Sequence, residues 1–90
     1  MVTWNCRVCG LEYSAADPAD LPWGKDEHLP SFDICPCCGV EFGYEDGLPQ
    51  SARRFRAKWL ERGAPWFDPK DAPEGWNLER QLTAVPSAYQ

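Results

Sequence analysis

The chain has 90 residues, a formal net charge of −5 and 43% hydrophobic residues. That length suits one domain with a thin stability margin, and no apolar run approaches the roughly 18 residues of a membrane span. The acidic balance argues against broad, sequence-independent nucleic-acid binding, which draws its energy from phosphate neutralisation.

The N-terminus, Met1-Val2-Thr3-Trp4-Asn5-Cys6, lacks the basic and apolar regions of a secretory signal. A cytoplasmic location is expected, where thiols stay reduced. Val2 to Asn5 and Leu11 to Ser14 are strand candidates on either side of Cys6-Arg7-Val8-Cys9-Gly10, the pattern of a hairpin whose tip grips a metal. Residues 15–34 are rich in Pro and Asp and are expected to form an irregular loop, anchored by Trp23 and Phe32.

A second turn of the same kind follows, Cys35-Pro36-Cys37-Cys38-Gly39. Two Cys-x-x-Cys-Gly turns predict a four-thiolate site from Cys6, Cys9, Cys35 and Cys38, because each turn delivers two sulfurs to one metal. Cys37 is the fifth cysteine and is read as a spare thiol exposed at the turn, with a redox-sensitive or alternate-ligand role as the sharper possibility. His28, the one histidine, is read as solvated. Val40 to Tyr44 alternates like a short strand, and Glu45-Asp46-Gly47 turns the chain.

One helix is predicted from Ala52 to Arg62, with Ser51 as its N-cap and Gly63 as its stop. Ala52, Phe55 and Trp59 form its apolar stripe. Charge is segregated: residues 1–50 carry −7, residues 51–62 carry +4 and residues 63–90 carry −2. Trp66-Phe67 and Trp76 then stand in a Pro-rich stretch, Leu78 to Ala84 is a candidate short helix, and Pro86 to Gln90 is expected to fray.

Trp4-Asn5-Cys6-Arg7-Val8-Cys9-Gly10-Leu11-Glu12-Tyr13, Asp17-Pro18, Leu29-Pro30 and Ile34-Cys35-Pro36-Cys37-Cys38-Gly39 resemble a rubredoxin over residues 2–42. The resemblance implies a rubredoxin-like fold with the metal at Cys6, Cys9, Cys35 and Cys38. Cys37 and a shorter segment between the turns depart from the rubredoxin pattern and turn the reading away from iron-based electron transfer. Residues 34–82 are also similar to small uncharacterised bacterial proteins through Ile34-Cys35-Pro36-Cys37-Cys38-Gly39-Val40-Glu41-Phe42-Gly43-Tyr44-Glu45-Asp46, Lys58-Trp59, Gly63, Trp66-Phe67, Pro73-Glu74-Gly75-Trp76 and Gln81-Leu82. That similarity implies no established activity.

The expectation is a small α+β metal-bound domain: a rubredoxin-like zinc ribbon at residues 1–47, with a helical, Pro/Trp-rich extension at residues 48–90 packed on it as one cooperative unit. Zinc is favoured over iron because about half of the chain is given over to helix and aromatics that a simple electron carrier does not need. No triad, P-loop or paired catalytic carboxylates are present, so no enzyme activity is expected. The favoured function is a non-catalytic zinc protein that binds a protein partner, a bacterial inhibitor or immunity-type protein being one form. A rubredoxin-like iron electron carrier and a nucleic-acid-binding zinc ribbon are the alternatives. The candidate partner-binding residues are Arg53, Arg54, Arg56, Lys58, Trp66, Phe67 and Trp76.

Overall fold

In the computed structural model, which describes all 90 residues, the two cysteine turns face each other across their sulfurs and the second half of the chain packs on both. Strands β1 (Val2–Asn5) and β2 (Glu12–Ala15) form an antiparallel hairpin in which Trp4 pairs with Tyr13. Alternation turns Trp4 and Tyr13 to one face, where they meet Phe42. The three rings form a triangle with centroids 5.6–5.9 Å apart and tilted or edge-on geometry, contacts worth about 0.5–1.5 kcal/mol each beyond their area.

The strand expected at Val40–Tyr44 is reduced to one bridge, Ile34 to Glu41. Gly43 ends it. Its φ is +96°, its N–H donates to the Asp46 carboxylate at 2.7 Å, and an added Cβ would sit 2.5 Å from Pro30. Glu45-Asp46 is therefore more than a turn. Asp46 is fully buried and also accepts from the Trp23 indole at 2.8 Å, which anchors the 15–34 loop as expected. Phe32 does not share that role: it takes φ +62° and leaves 59% of its surface in solvent.

Helix α1 runs from Pro49 to Glu61 and begins two residues before the predicted Ser51 cap. Pro49 explains the earlier start, since its fixed φ suits a first helical position and its missing N–H is one the helix leaves unpaired anyway. Ala52 and Trp59 are buried, Phe55 is half-buried, and Gly63 and Ala64 end the helix at positive φ. The Trp59 indole donates to the Pro65 carbonyl at 2.8 Å and fixes the exit.

The short helix α2 spans Leu78–Leu82, capped by the Asn77 side chain. Trp66 and Trp76 pack edge-on at 5.4 Å, and both are half-buried. The tail expected to fray is instead ordered: Val85 is buried, Ser87–Tyr89 form a 3₁₀ turn, and Arg53 and Arg56 donate to the Gln90 and Tyr89 carbonyls. The Cα radius of gyration of 12.3 Å matches the value of about 12 Å for one folded body of this length.

Candidate metal centre

Each cysteine turn is built the same way. The N–H of Gly10 donates to the Cys6 carbonyl and that of Gly39 to the Cys35 carbonyl, both at 2.9 Å. The amides of Cys6 and Cys35 donate to Leu11 and Val40, also at 2.9 Å. Both glycines stand at φ +84°, a conformation that a Cβ disfavours. Two copies of one turn thus present four sulfurs to a common point.

The ligand atoms of Cys6, Cys9, Cys35 and Cys38 lie within 4.8 Å of one another, and all four residues are buried. The Cys6–Cys38 and Cys9–Cys35 sulfurs are 3.8 Å apart. Four thiolates about 2.3 Å from a tetrahedral zinc ion define edges of about 3.8 Å, whereas a disulfide brings sulfurs to about 2.05 Å. The four cysteines therefore fit one metal ion with all positions filled by sulfur.

Electrostatics point the same way. Hydrogen bonds from Cys38, Cys6 and Cys9 hold Cys35 far below the ordinary thiol range. Hydrogen bonding with Cys35, Cys37, Cys38 and Cys6, followed by burial, pushes Cys9 far above it. Cys38 is also pushed up, by burial first and then by Cys35 and Cys6. Four sulfurs in a dry pocket cannot all ionise together, and a divalent cation removes that conflict. The Tyr13 hydroxyl beside them is buried without a hydrogen-bond partner, and burial, then the charge at Cys35, raises its pKa.

The outer faces of both turns are covered by the second half of the chain. Arg56 reaches from α1 to the first turn, its Nε donating to the Val8 carbonyl at 2.6 Å and Nη2 to the Arg7 carbonyl at 3.0 Å. On the second turn, the N–H groups of Phe67 and Asp68 donate to the Cys37 and Pro36 carbonyls at 3.0 and 2.9 Å. Gln81 bridges the two, its Nε2 donating to the Cys9 carbonyl at 3.0 Å and to the Cys37 sulfur at 3.3 Å. Corresponding carbonyls of the two turns are thus satisfied by a guanidinium in one case and by backbone in the other.

This cover changes the reading of Cys37 and of Arg56. Cys37 is not an exposed thiol: it is fully buried beneath Gln81 and the Phe67–Asp68 segment. Arg56 is turned inward and does not offer a free cation. Trp66 and Trp76 are half-buried, the Trp76 indole being held by the Gln81 side-chain oxygen at 2.8 Å. Arg54, Lys58 and Phe67 are exposed or largely so, and Arg53 is exposed while donating to the tail. His28 stays exposed, away from the sulfurs.

Arg7 is a buried position that composition did not single out. It is 5% exposed, stacked between the rings of Trp23 at 3.9 Å and Tyr89 at 4.6 Å. It donates to the Asp46 carbonyl and forms an ion pair with Glu27 at 3.0 Å. Hydrogen bonding from the Trp4 indole, then from Arg7, holds the Glu27 carboxyl below its ordinary range. The contribution of that contact is present at neutral pH and is lost as pH falls through the depressed value.

Glycine substitutions separate the cover from the turn geometry. Gly10 and Gly63 both have positive φ, but an added Cβ at Gly10 would collide with the Gln81 carbonyl oxygen, whereas at Gly63 it would meet nothing within 4 Å. Thermal denaturation is expected to show Gly63→Ala costing about 1–2 kcal/mol, the strain of a left-handed non-glycine residue, and Gly10→Ala at least twice as much. Equal losses would mean that α2 does not rest on the first turn.

No family model and no solved structure matches the chain. It is similar to two proteins of Bacillus subtilis (strain 168). The uncharacterised protein YoaQ is 35% identical over 85 aligned residues, covering 79% of this chain and 69% of the relative. The uncharacterised protein YozI is 27% identical over 85, covering 79% and 68%. At that identity and coverage, the chain belongs to the family of Bacillus subtilis YoaQ.

Proposed function

We propose that Cys6, Cys9, Cys35 and Cys38 hold one zinc ion as a closed, rubredoxin-like structural centre, and that the protein acts without catalysis by binding a protein partner. The observation that carries this reading is the cover. The four sulfurs are at most 2% exposed by residue, and both turns have their outward carbonyls taken up by residues 56–81. A fully thiolate-bound zinc has no open position for water and no redox chemistry, so it supports a scaffold. An electron carrier gains nothing from burying the edge through which electrons would leave. A small acidic inhibitor or immunity-type protein is one concrete form of such a scaffold. The nucleic-acid reading is weakened by Arg56, which is committed to carbonyls, and by the acidic body.

Elemental analysis of protein from cells supplied with both metals tests the centre. One zinc per chain in a colourless protein is the expected result. A red iron form with reversible reduction would replace this reading with the electron carrier.

A further inference from the structure

A recess of about 270 Å³ lies between α1 and the turn at Tyr44–Glu45, lined by Tyr44, Glu45, Ser51, Arg54, Phe55 and Lys58. Four of these come from one helical face, at spacings of three and four residues. Arg54 and Lys58 are like charges at i and i+4, an arrangement that disfavours the helix slightly unless an anion lies between them. Neither is spent elsewhere. The single ion pair of the protein is Arg7–Glu27, and the side chains of Ser51, Arg54 and Lys58 make no hydrogen bond, whereas Arg53 and Arg56 do. Glu45 shares the rim without pairing with either cation. Tyr44 is 75% exposed, which leaves a large aromatic side chain open to solvent, and half-buried Phe55 lines the same recess.

This combination defines a ligand. Two cations and a hydroxyl suit a carboxylate, and two aromatic walls suit an apolar group beside it. The volume is below the roughly 300–1,000 Å³ of cofactor and drug-sized sites, so it holds one or two side chains rather than a whole cofactor. We propose that this recess docks an acidic peptide segment of a partner protein. One Asp or Glu carboxylate lies between Arg54 and Lys58 within reach of Ser51, and a neighbouring apolar side chain covers Tyr44 and Phe55. The proposal rests on the reading of the chain as a partner-binding protein and names the surface and the chemistry of that partner.

The test is a titration of the zinc-loaded, ¹⁵N-labelled full chain with an acetylated and amidated Gly-Glu-Phe-Glu-Gly peptide, with Gly-Lys-Phe-Lys-Gly and a short oligothymidine as parallel arms. Saturable amide shifts at Tyr44, Ser51, Arg54, Phe55 and Lys58 are expected with the acidic peptide alone. They should weaken at least tenfold in R54E/K58E, a variant shown to be folded by unchanged zinc content and by its remaining spectrum. Absence of saturation, equal response to the lysine peptide, or tighter binding of the oligonucleotide at these residues would overturn the proposal. So would an unchanged response in R54E/K58E. Crosslinking in lysate of the source cells separates this site from the broader reading. A partner retained equally by wild type and R54E/K58E overturns the site alone, and no partner for either overturns both.

Discussion

Replacing any one of Cys6, Cys9, Cys35 or Cys38 by serine is expected to abolish stoichiometric metal binding and to unfold at least residues 1–47, whereas Cys37→Ser keeps one metal ion per chain. The four sulfurs converge within 4.8 Å, so losing one leaves three thiols crowded in a dry pocket. Structural zinc contributes about 10–16 kcal/mol in small zinc peptides, which matches or exceeds the net stability of about 5–15 kcal/mol of a whole domain. If the site holds zinc as proposed, removing one ligand forfeits most of that. Cys37 is equally buried but lies outside the four-sulfur group, and its sulfur accepts a weak bond from Gln81 and borders the Cys9 thiol. Its replacement should cost about 1–2 kcal/mol, within the ordinary range for a buried point change. Metal analysis and circular dichroism on the five variants check this, and metal loss at Cys37 equal to that at Cys35 or Cys38 would mean that the ligand set is wrong. Acid acts in the same direction as the ligand substitutions. Protonation of the thiolates releases the metal, so the stability it supplies is present at neutral pH and is lost as pH falls.

Arg56→Met is expected to lower stability by about 2–4 kcal/mol, a fall in Tm of roughly 10–30 °C for a domain of this size. The methionine retains much of the apolar stem and removes only the guanidinium. Three carbonyls then lose their donor: those of Arg7 and Val8 on the first turn and that of Tyr89 on the tail. Hydrogen bonds to a charged donor contribute about 1.5–3 kcal/mol each, and partial exposure of Arg56 to water reduces the sum. Arg54→Met, which removes a cation with no internal partner, should change Tm by no more than a few degrees. A similar drop in both variants would reduce the Arg56 effect to a general loss of charge.

The centre is legible in the sequence because a Cys-x-x-Cys-Gly turn is a local device. Its geometry is set within five residues, and nothing distant is needed to place two sulfurs and a left-handed glycine. The β1–β2 hairpin and the apolar stripe of α1 are legible for the same reason, through periodicity. What the sequence conceals is non-local. Arg56 resembles its neighbours Arg53 and Arg54, and only the docking of α1 on the first turn separates it from them. Arg7, in an acidic half, reads as a surface charge until Trp23 and Tyr89, far apart in the chain, close on it. Asp46 reads as a turn residue because its partners, Trp23 and Gly43, come together only when the 15–34 loop folds back. The tail fails as a frayed end because its carbonyls are used by arginines of α1. Gln81 could be noticed only as a polar residue between apolar positions of α2, and that pattern does not distinguish a bridging amide from a solvated one.

The second half of the chain covers both cysteine turns through Arg56, Phe67, Asp68 and Gln81, and in the proposed zinc form that cover seals the centre. Zinc release to an excess of a chromogenic chelator, followed in time for wild type and for Arg56→Met under conditions where both are folded and each holds one zinc, tests it most directly. The expected result is slow release from wild type and release at least tenfold faster from Arg56→Met, with Arg54→Met close to wild type. Equal rates for wild type and Arg56→Met would mean that the Arg56 cover does not retain the metal.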